Sequence, residues 1–170
     1  MEYFVVNGYP KSGKDTFMEL CSAHSKAIVR CISIVDFIKD LALEFGWNFQ
    51  KTPKDRKFLA ELKNLLEEWN DVPFQKTCED IEQFEWELDS LDIADQGMVL
   101  ICAREPKDIE RFKQKYNART ILIRRQEVTN DKQSNAADSG VENYNYDFII
   151  DNNSTIEELS KKTKEFLKNN

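Results

Sequence analysis

The sequence predicts an α/β fold: a five-stranded parallel sheet with helices on both faces. Three observations predict it. Short β-rich runs alternate with helical patterns along the chain. One of these runs, Met98 to Ala103, is apolar without a break, the pattern of a strand covered on both faces. The first run passes through a glycine-containing loop straight into a helix. With 170 residues there is room for one well-buried core and not for two ordinary domains, so a single domain is expected.

Tyr3 to Asn7 is the first strand, and a helical pattern follows from Gly13 or Lys14. Ala27 to Ile32 is the second strand. Val35, Ile38, Ala42 and Phe45 then recur at helical spacing and stop at Gly46, a natural helix end. Thr52 reads as an N-cap with Pro53 at the first helical position, and Phe58, Leu62, Leu65 or Leu66, and Trp69 mark one face up to the turn before Pro73. Between Gln75 and Asp95, eight acids stand against the single Lys76, while Ile81, Phe84, Leu88 and Leu91 keep helical spacing. An amphipathic helix with a solvated acidic face accounts for both patterns. Pro106 opens a helix carrying Ile109, Phe112 and Tyr116, after which Thr120 to Ile123 and Asp147 to Ile150 are the last strands. The closing helix, Ser154 to Leu167, begins with Ser154 and Glu157 at capping-box spacing and turns Ile156, Leu159, Phe166 and Leu167 inward. Glu127 to Asn145 is polar without clear periodicity, and no internal repeat is visible.

The composition, 41% hydrophobic and 32% charged, is that of a soluble globular protein. The net charge of −7 comes with no clustered basic surface, which excludes binding of a nucleic acid polymer through its phosphates. There is no basic leader and no apolar run of spanning length, so a cytoplasmic protein without membrane contact is expected. Cys21, Cys31, Cys78 and Cys102 form no Cys-x-x-Cys pair, and His24 is the only histidine. Thiolate metal capture is therefore excluded, and reduced, mostly buried thiols are expected.

Gly8-Tyr9-Pro10-Lys11-Ser12-Gly13-Lys14 fits G-x-x-x-x-G-K and lies between first strand and first helix, where a phosphate-binding loop belongs. Such a loop curls backbone N–H groups around an anion at a helix N-terminus. Gly8 and Gly13 permit the curl, Lys11 and Ser12 lie within it, and Lys14 adds a point charge on the terminal phosphates. A Ser or Thr usually follows the lysine and ligates Mg²⁺; here Asp15 stands there and Thr16 comes next. Asp15 is a hard oxygen ligand for the metal, and Thr16 can bond a phosphate.

Gly-Lys-Asp-Thr resembles the phage-type deoxynucleoside monophosphate kinases, and Lys-Ser-Gly-Lys-Asp resembles the animal-type phosphomevalonate kinases. Asp36-Phe37-Ile38-Lys39 occupies the place of a segment that opens a helix after the second strand in both families and keeps its lysine. Glu44 to Gln50 is similar to the Gly-Leu-Asn-Phe-Gln stretch of phosphomevalonate kinases. Arg104-Glu105-Pro106-Lys107-Asp108-Ile109 resembles the Arg-x-Pro-x-Glu-Ile pattern of the deoxynucleotide kinases, and Tyr146 to Asn152 resembles an ending common to both. The resemblance implies a P-loop kinase of the nucleoside monophosphate kinase fold with strand order 2-3-1-4-5, using ATP and Mg²⁺. It implies that Lys39 and Arg104 face the acceptor's phosphate and the transferring phosphoryl group, with Asp36 orienting either the acceptor or Lys39.

The expected activity is ATP-dependent phosphorylation of a nucleoside or deoxynucleoside monophosphate, with Lys14, Lys39 and Arg104 carrying the chemistry. A phosphomevalonate-type acceptor and a nucleotide-binding regulator with little transfer are the alternatives. Lys39 also reads as a solvated helix residue, and Arg104 as a structural partner of a helix end. Two departures feed the regulator reading. Cys102 stands where relatives have a metal-binding aspartate, and the lid expected over residues 125–143 offers Lys132 alone between Glu127 and Asn143, leaving Arg124 and Arg125 as its arginines. A GTPase reading lacks support, because no Asn-Lys-x-Asp motif is present and Asn130-Asp131-Lys132 does not substitute for one. The expected partner is a small phosphorylated acceptor, and the chain is expected as a monomer or a homodimer.

Overall fold

The computed structural model describes residues 1–126, 141 and 143–169. Strands β1 (Glu2–Asn7), β2 (Ile28–Ser33), β3 (Gly97–Cys102), β4 (Arg119–Arg124) and β5 (Phe148–Asp151) form one sheet in the order β2-β3-β1-β4-β5. Every pairing is parallel, as the alternating sequence pattern requires. The helices are α1 (Lys14–His24), α2 (Asp36–Glu44), α3 (Pro53–Asn70), α4 (Val72–Ser90), α5 (Pro106–Tyr116) and α6 (Ile156–Asn169). Most of the expected lid falls outside the described residues, Lys132 included.

Alternation along the strands divides the core. Val5, Val99 and Ile101 point to one face, where Ile81, Phe84 and Leu88 of α4 and Ile109 and Phe112 of α5 cover them. Phe4, Val6, Met98 and Leu100 point to the other, against Phe17 and Cys21 of α1 and Leu159 and Phe166 of α6. Phe4, Phe17 and Phe112 are completely buried, and each such side chain stabilises the fold by about 1.5–3 kcal/mol. Among the described residues no helix is long and apolar enough to cross a membrane.

Thr52 caps α3 as expected: its side chain accepts from Asp55 N–H while the Asp55 carboxylate accepts from Thr52 N–H, with Pro53 opening the helix. Several expected inward faces are instead solvent-facing. Phe58, Leu65 and Trp69 of α3 lie outside, Trp69 being 74% exposed, because Leu59, Leu62 and Leu66 form the inner side of that helix. Phe45 and Leu91 follow the last turns of α2 and α4 and are also exposed. The final helix starts at Ile156, so the residue whose hydroxyl accepts from a first-turn N–H is Thr155, with Glu158, and not Ser154 with Glu157; Ile156 is exposed at that end.

The acids of α4 are less solvated than their pattern suggests. Glu85 accepts from the Tyr3 hydroxyl, Glu87 and Asp80 pair with Arg30, and Glu82 pairs with Lys115. All four cysteines are free thiols; Cys21 and Cys78 are buried, Cys102 is half-buried and Cys31 is exposed. Neither Trp69 nor Trp86, 66% exposed on α4, enters the core, and Trp47 after α2 is only half-buried.

Candidate active site

Sheet register assembles the site. Val6 of β1 is level with Cys102 of β3, and Cys102 is level with Ser33 of β2. The three strands therefore end together, which brings Gly8, Arg104 and Asp36 to one edge, the carboxyl end where parallel sheets bind ligands.

The loop after β1 is shaped by two close approaches. A Cβ on Gly8 would stand 2.4 Å from Ser12 Oγ and 2.6 Å from the Ile123 carbonyl oxygen. Gly13 is left-handed, with φ +94°, and a Cβ there would stand 2.3 Å from Asn152 Nδ2. Lys11 also takes positive φ, 66°. Alternation of this kind turns successive N–H groups toward one concavity, the form of a backbone anion nest. The first turn of α1 opens from it at Lys14.

Lys14 is 5% exposed. Its ammonium is 3.9 Å from Asp15 Oδ1, too long for a hydrogen bond, so Asp15 does not take up its protons. The Asp15 carboxylate itself is 82% exposed. Lys14, Arg104, Asp15 and Lys39 all act electrostatically on Cys102: burial pushes its thiol up, the three cations pull it down and Asp15 adds to the rise, leaving it above the ordinary thiol value.

Asp36 orients Lys39. Its Oδ1 accepts from Lys39 Nζ at 2.7 Å and its Oδ2 from Ser33 N–H at 2.7 Å. Both carboxylate oxygens are engaged, which holds the lysine at the start of α2.

A cleft of about 320 Å³ continues from the loop, lined by Lys11, Lys14, Asp15, Thr16, Arg125 and Asn152, with Ile156 and Leu159 as its apolar wall. The two arginines expected at the lid separate here. Arg125 lines the cleft, whereas Arg124 makes a two-pronged ion pair with Asp151, at 2.6 and 3.0 Å, whose carboxyl is held below its usual range by that guanidinium. Arg124 is thereby fixed to the end of β5.

Three anchors of the loop were not singled out by residue type. Asn7 is fully buried; its Oδ1 accepts from Gly8 N–H at 2.7 Å, and its Nδ2 donates to the Tyr146 hydroxyl at 2.7 Å and to the Arg104 carbonyl at 3.2 Å. Asn152 donates from Nδ2 to the Ser12 carbonyl at 2.9 Å. Tyr146 donates in turn to the Val141 carbonyl at 2.8 Å. Persistence of the Tyr146 to Asn152 motif was the available signal for the last two.

Beyond Arg104 lies a buried ionic cluster. Lys63 of α3, 8% exposed, contacts Glu105 at 2.6 Å, Glu67 at 3.1 Å and Asp108 at 3.7 Å. Lys107 pairs with Glu67 and with Glu105, and Arg111 pairs with Asp71 and reaches to 4.0 Å from Asp108. Burial alone would lower the Lys63 ammonium; bonds and charges from Glu105, Asp108 and Glu67 outweigh it, so the group is raised. Asp108 is 1% exposed and neither oxygen has a hydrogen-bond donor among the described residues; burial raises its carboxyl to about 6.

No group of three or more His, Cys, Asp or Glu able to hold a metal occurs among the described residues. A Mg²⁺ ion needs no such group, since it keeps several waters and binds through one or two carboxylates together with substrate phosphates. Asp15 supplies such a carboxylate, and Thr16 a hydroxyl beside it.

The loop, its following helix and the sheet order define an α/β fold of the P-loop type. No family model matches the chain, and no curated protein matches it in sequence. Solved structures do match over nearly its whole length. A candidate kinase from Chloroflexus aurantiacus is 9% identical at a TM-score of 0.51, covering 99% of this chain and 96% of the other. A sugar kinase from Janibacter sp. is 15% identical at 0.49, covering 99% and 95%. The APS kinase of Mycobacterium tuberculosis is 14% identical at 0.42, covering 98% and 96%. At 9% identity the likeness to the Chloroflexus protein is one of fold.

Proposed function

We propose that this chain is an ATP-dependent small-molecule kinase that passes the γ-phosphoryl group to a nucleoside or deoxynucleoside monophosphate. The observation that carries the reading is the glycine-shaped loop that opens into α1 at the buried Lys14, on the same sheet edge to which the strand register brings Arg104 and Asp36, the partner of Lys39. Phosphoryl transfer asks a protein for positioning and positive charge, and three cations on one edge supply both.

Lys11, Lys14, Thr16 and Arg125 hold the donor phosphates along the cleft, while Asn152 keeps the loop in shape. Asp15, together with the donor phosphates, would hold Mg²⁺, which would supply positive charge to offset that of the transferring phosphoryl group. Lys39, steadied by Asp36, and Arg104, steadied through Asn7, receive the acceptor phosphate. An acceptor oxygen attacks the γ-phosphorus, one P–O bond forms, the bond to the β-phosphate oxygen breaks, and ADP leaves. A phosphate acceptor has its second pKa at about 6 and needs no base near neutral pH. This agrees with Asp36, whose two oxygens are already committed to donors.

The regulator reading keeps two observations, the thiol of Cys102 where a carboxylate would serve the metal and the arginine-poor sequence of residues 125–143. Melting with ligands decides between the two readings. ATP with Mg²⁺ at about a hundred times its dissociation constant stabilises by about 2.7 kcal/mol, a shift of about 5–10 °C for a chain of this size. One or more monophosphates should add a further shift in the presence of a non-hydrolysable ATP analogue, and should release ADP from ATP. A response to phosphomevalonate alone makes that the acceptor class. ATP binding with no response to any phosphorylated small molecule favours the regulator, and no ATP shift at millimolar concentration overturns the nucleotide site.

A further inference from the structure

Helix α3 buries one residue completely enough to count as core, and that residue is a lysine. An ammonium withdrawn from water is costly unless it is paired and bonded. Lys63 meets this condition with carboxylates from two elements: Glu67 one turn along α3, and Glu105 and Asp108 at the start of α5. The shortest contact, 2.6 Å, goes to Glu105, the residue after Arg104.

Glu105 precedes the first turn of α5, and its side chain makes no capping bond to that helix. It is turned to Lys63 and Lys107 instead. On the opposite side, the Arg104 carbonyl accepts from Asn7, the residue that also fixes Gly8. Residues 104 and 105 are thus tethered from two directions, to the phosphate-binding loop through Asn7 and to α3 through Lys63. Helix α3 packs on α2, which carries Asp36 and Lys39, and on α4. This cluster joins the body of α3 to the Arg104 segment by a short polar link.

We infer that Lys63 is a positioning residue that sets Arg104 for phosphoryl transfer and registers the acceptor-side helices α2 and α3 against the phosphate-binding loop, an inference that rests on the kinase reading above. Lys63 itself touches neither substrate. With its ammonium removed, Glu67, Glu105 and Asp108 face one another with only Lys107 and Arg111 to balance them. Glu105 then loses its closest donor, and of the two tethers described the adjoining Arg104 keeps the one to Asn7. A displacement of about 1 Å at a group of this kind costs about a hundredfold in rate.

The test is steady-state kinetics of the full chain at a temperature well below its melt, with the best monophosphate acceptor. Lys63→Met keeps the stem and removes the charge; kcat/KM for the acceptor should fall about 10–100-fold, while the KM for ATP changes less than about threefold. Lys63→Arg, which keeps the charge and can bond two carboxylates at once, should recover most of the loss. Glu105→Gln keeps an acceptor for Lys63 and keeps the fold in reach if Lys63→Met does not fold. Its loss should also fall on the acceptor, and combined with Lys63→Arg it should be non-additive. Equal losses for ATP and acceptor, or a lowered melt with unchanged kinetics, overturn the positioning role and leave the kinase reading intact. A wild-type chain that transfers to no phosphorylated acceptor overturns the kinase reading first, and this role with it.

Discussion

Replacing Asp108 by asparagine should stabilise the protein at neutral pH and do almost nothing in acid. The side chain is 1% exposed, and both carboxylate oxygens lack hydrogen-bond donors among the described residues. The charged groups around it are Lys63 and Glu67 from α3 and Glu105, Lys107 and Arg111 from α5. Burial dominates, the lysines oppose it, the two glutamates reinforce it, and the carboxyl titrates at about 6 in place of its ordinary 3.8. At about 1.4 kcal/mol per pH unit, ionising it in the folded state costs on the order of 3 kcal/mol relative to the unfolded chain. The sign follows from proton counts. Between about pH 4 and pH 6 the folded chain holds this proton and the unfolded chain does not, so stability falls as pH rises. Below that window both states are protonated and asparagine mimics the acid; above it, asparagine avoids the buried charge. Urea unfolding of wild type and Asp108→Asn from pH 4 to pH 8 should give curves that meet at the acid end. They should separate by up to about 3 kcal/mol at the other, or about 6–12 °C in melting temperature. Other titrating groups, Glu67 among them, are shared by both proteins and largely cancel in the difference. A variant less stable than wild type at neutral pH, or a difference that does not change with pH, would show that attraction to Lys63 outweighs burial.

The remaining predictions concern the site. Lys14→Ala should lower kcat by about 10²–10³ while equilibrium ATP binding survives, since its charge matters most as the phosphoryl group moves; full turnover refutes the role. Lys39→Ala and Arg104→Ala should each reduce kcat/KM for the acceptor at least tenfold, with ATP affinity measured alone within about threefold; a loss confined to ATP places them on the wrong side. Gly13→Ala should abolish the ATP-induced melting shift, because its Cβ meets Asn152 Nδ2 at 2.3 Å as well as taking a positive φ. Gly46→Ala, with φ +86° and no atom within 4 Å, should cost about 1–2 kcal/mol of stability and leave the ATP shift unchanged.

Sequence disclosed the sheet and the loop because each rests on local chemistry. Gly8, Gly13 and Lys14 sit between a strand and a helix, and Met98 to Ala103 has no polar break, so neither reading needs distant residues. The orientation of α3 was not local. Its leucines and aromatics permit two apolar faces, and the occupied one contains Lys63, which any hydrophobicity argument turns outward. Besides the neighbouring Glu67, it takes Glu105 and Asp108, some forty residues along the chain, to pair that lysine in its buried place. The same holds for Asn7: its type says nothing until Tyr146 and the Arg104 carbonyl stand within hydrogen-bond reach. The capping shift from Ser154 to Thr155 is of another kind, since adjacent hydroxyl residues each stand three before a glutamate and spacing alone does not choose.

The placement of the three tryptophans determines what light emission from this protein can report. Trp69 and Trp86 stand in solvent, and Trp47 is half-covered, its indole N–H donating to the Gln50 carbonyl at 2.9 Å and its ring centre 5.2 Å from that of Phe49. None lies in the packed interior between sheet and helices. Native emission is therefore already close to that of a solvated indole, and loss of the fold changes it little. A change in intensity is instead a local signal from the segment after α2, where Trp47 can be followed on its own by replacing Trp69 and Trp86 with phenylalanine. Far-ultraviolet circular dichroism, fed by the six helices given above, is the measurement that follows the fold as a whole.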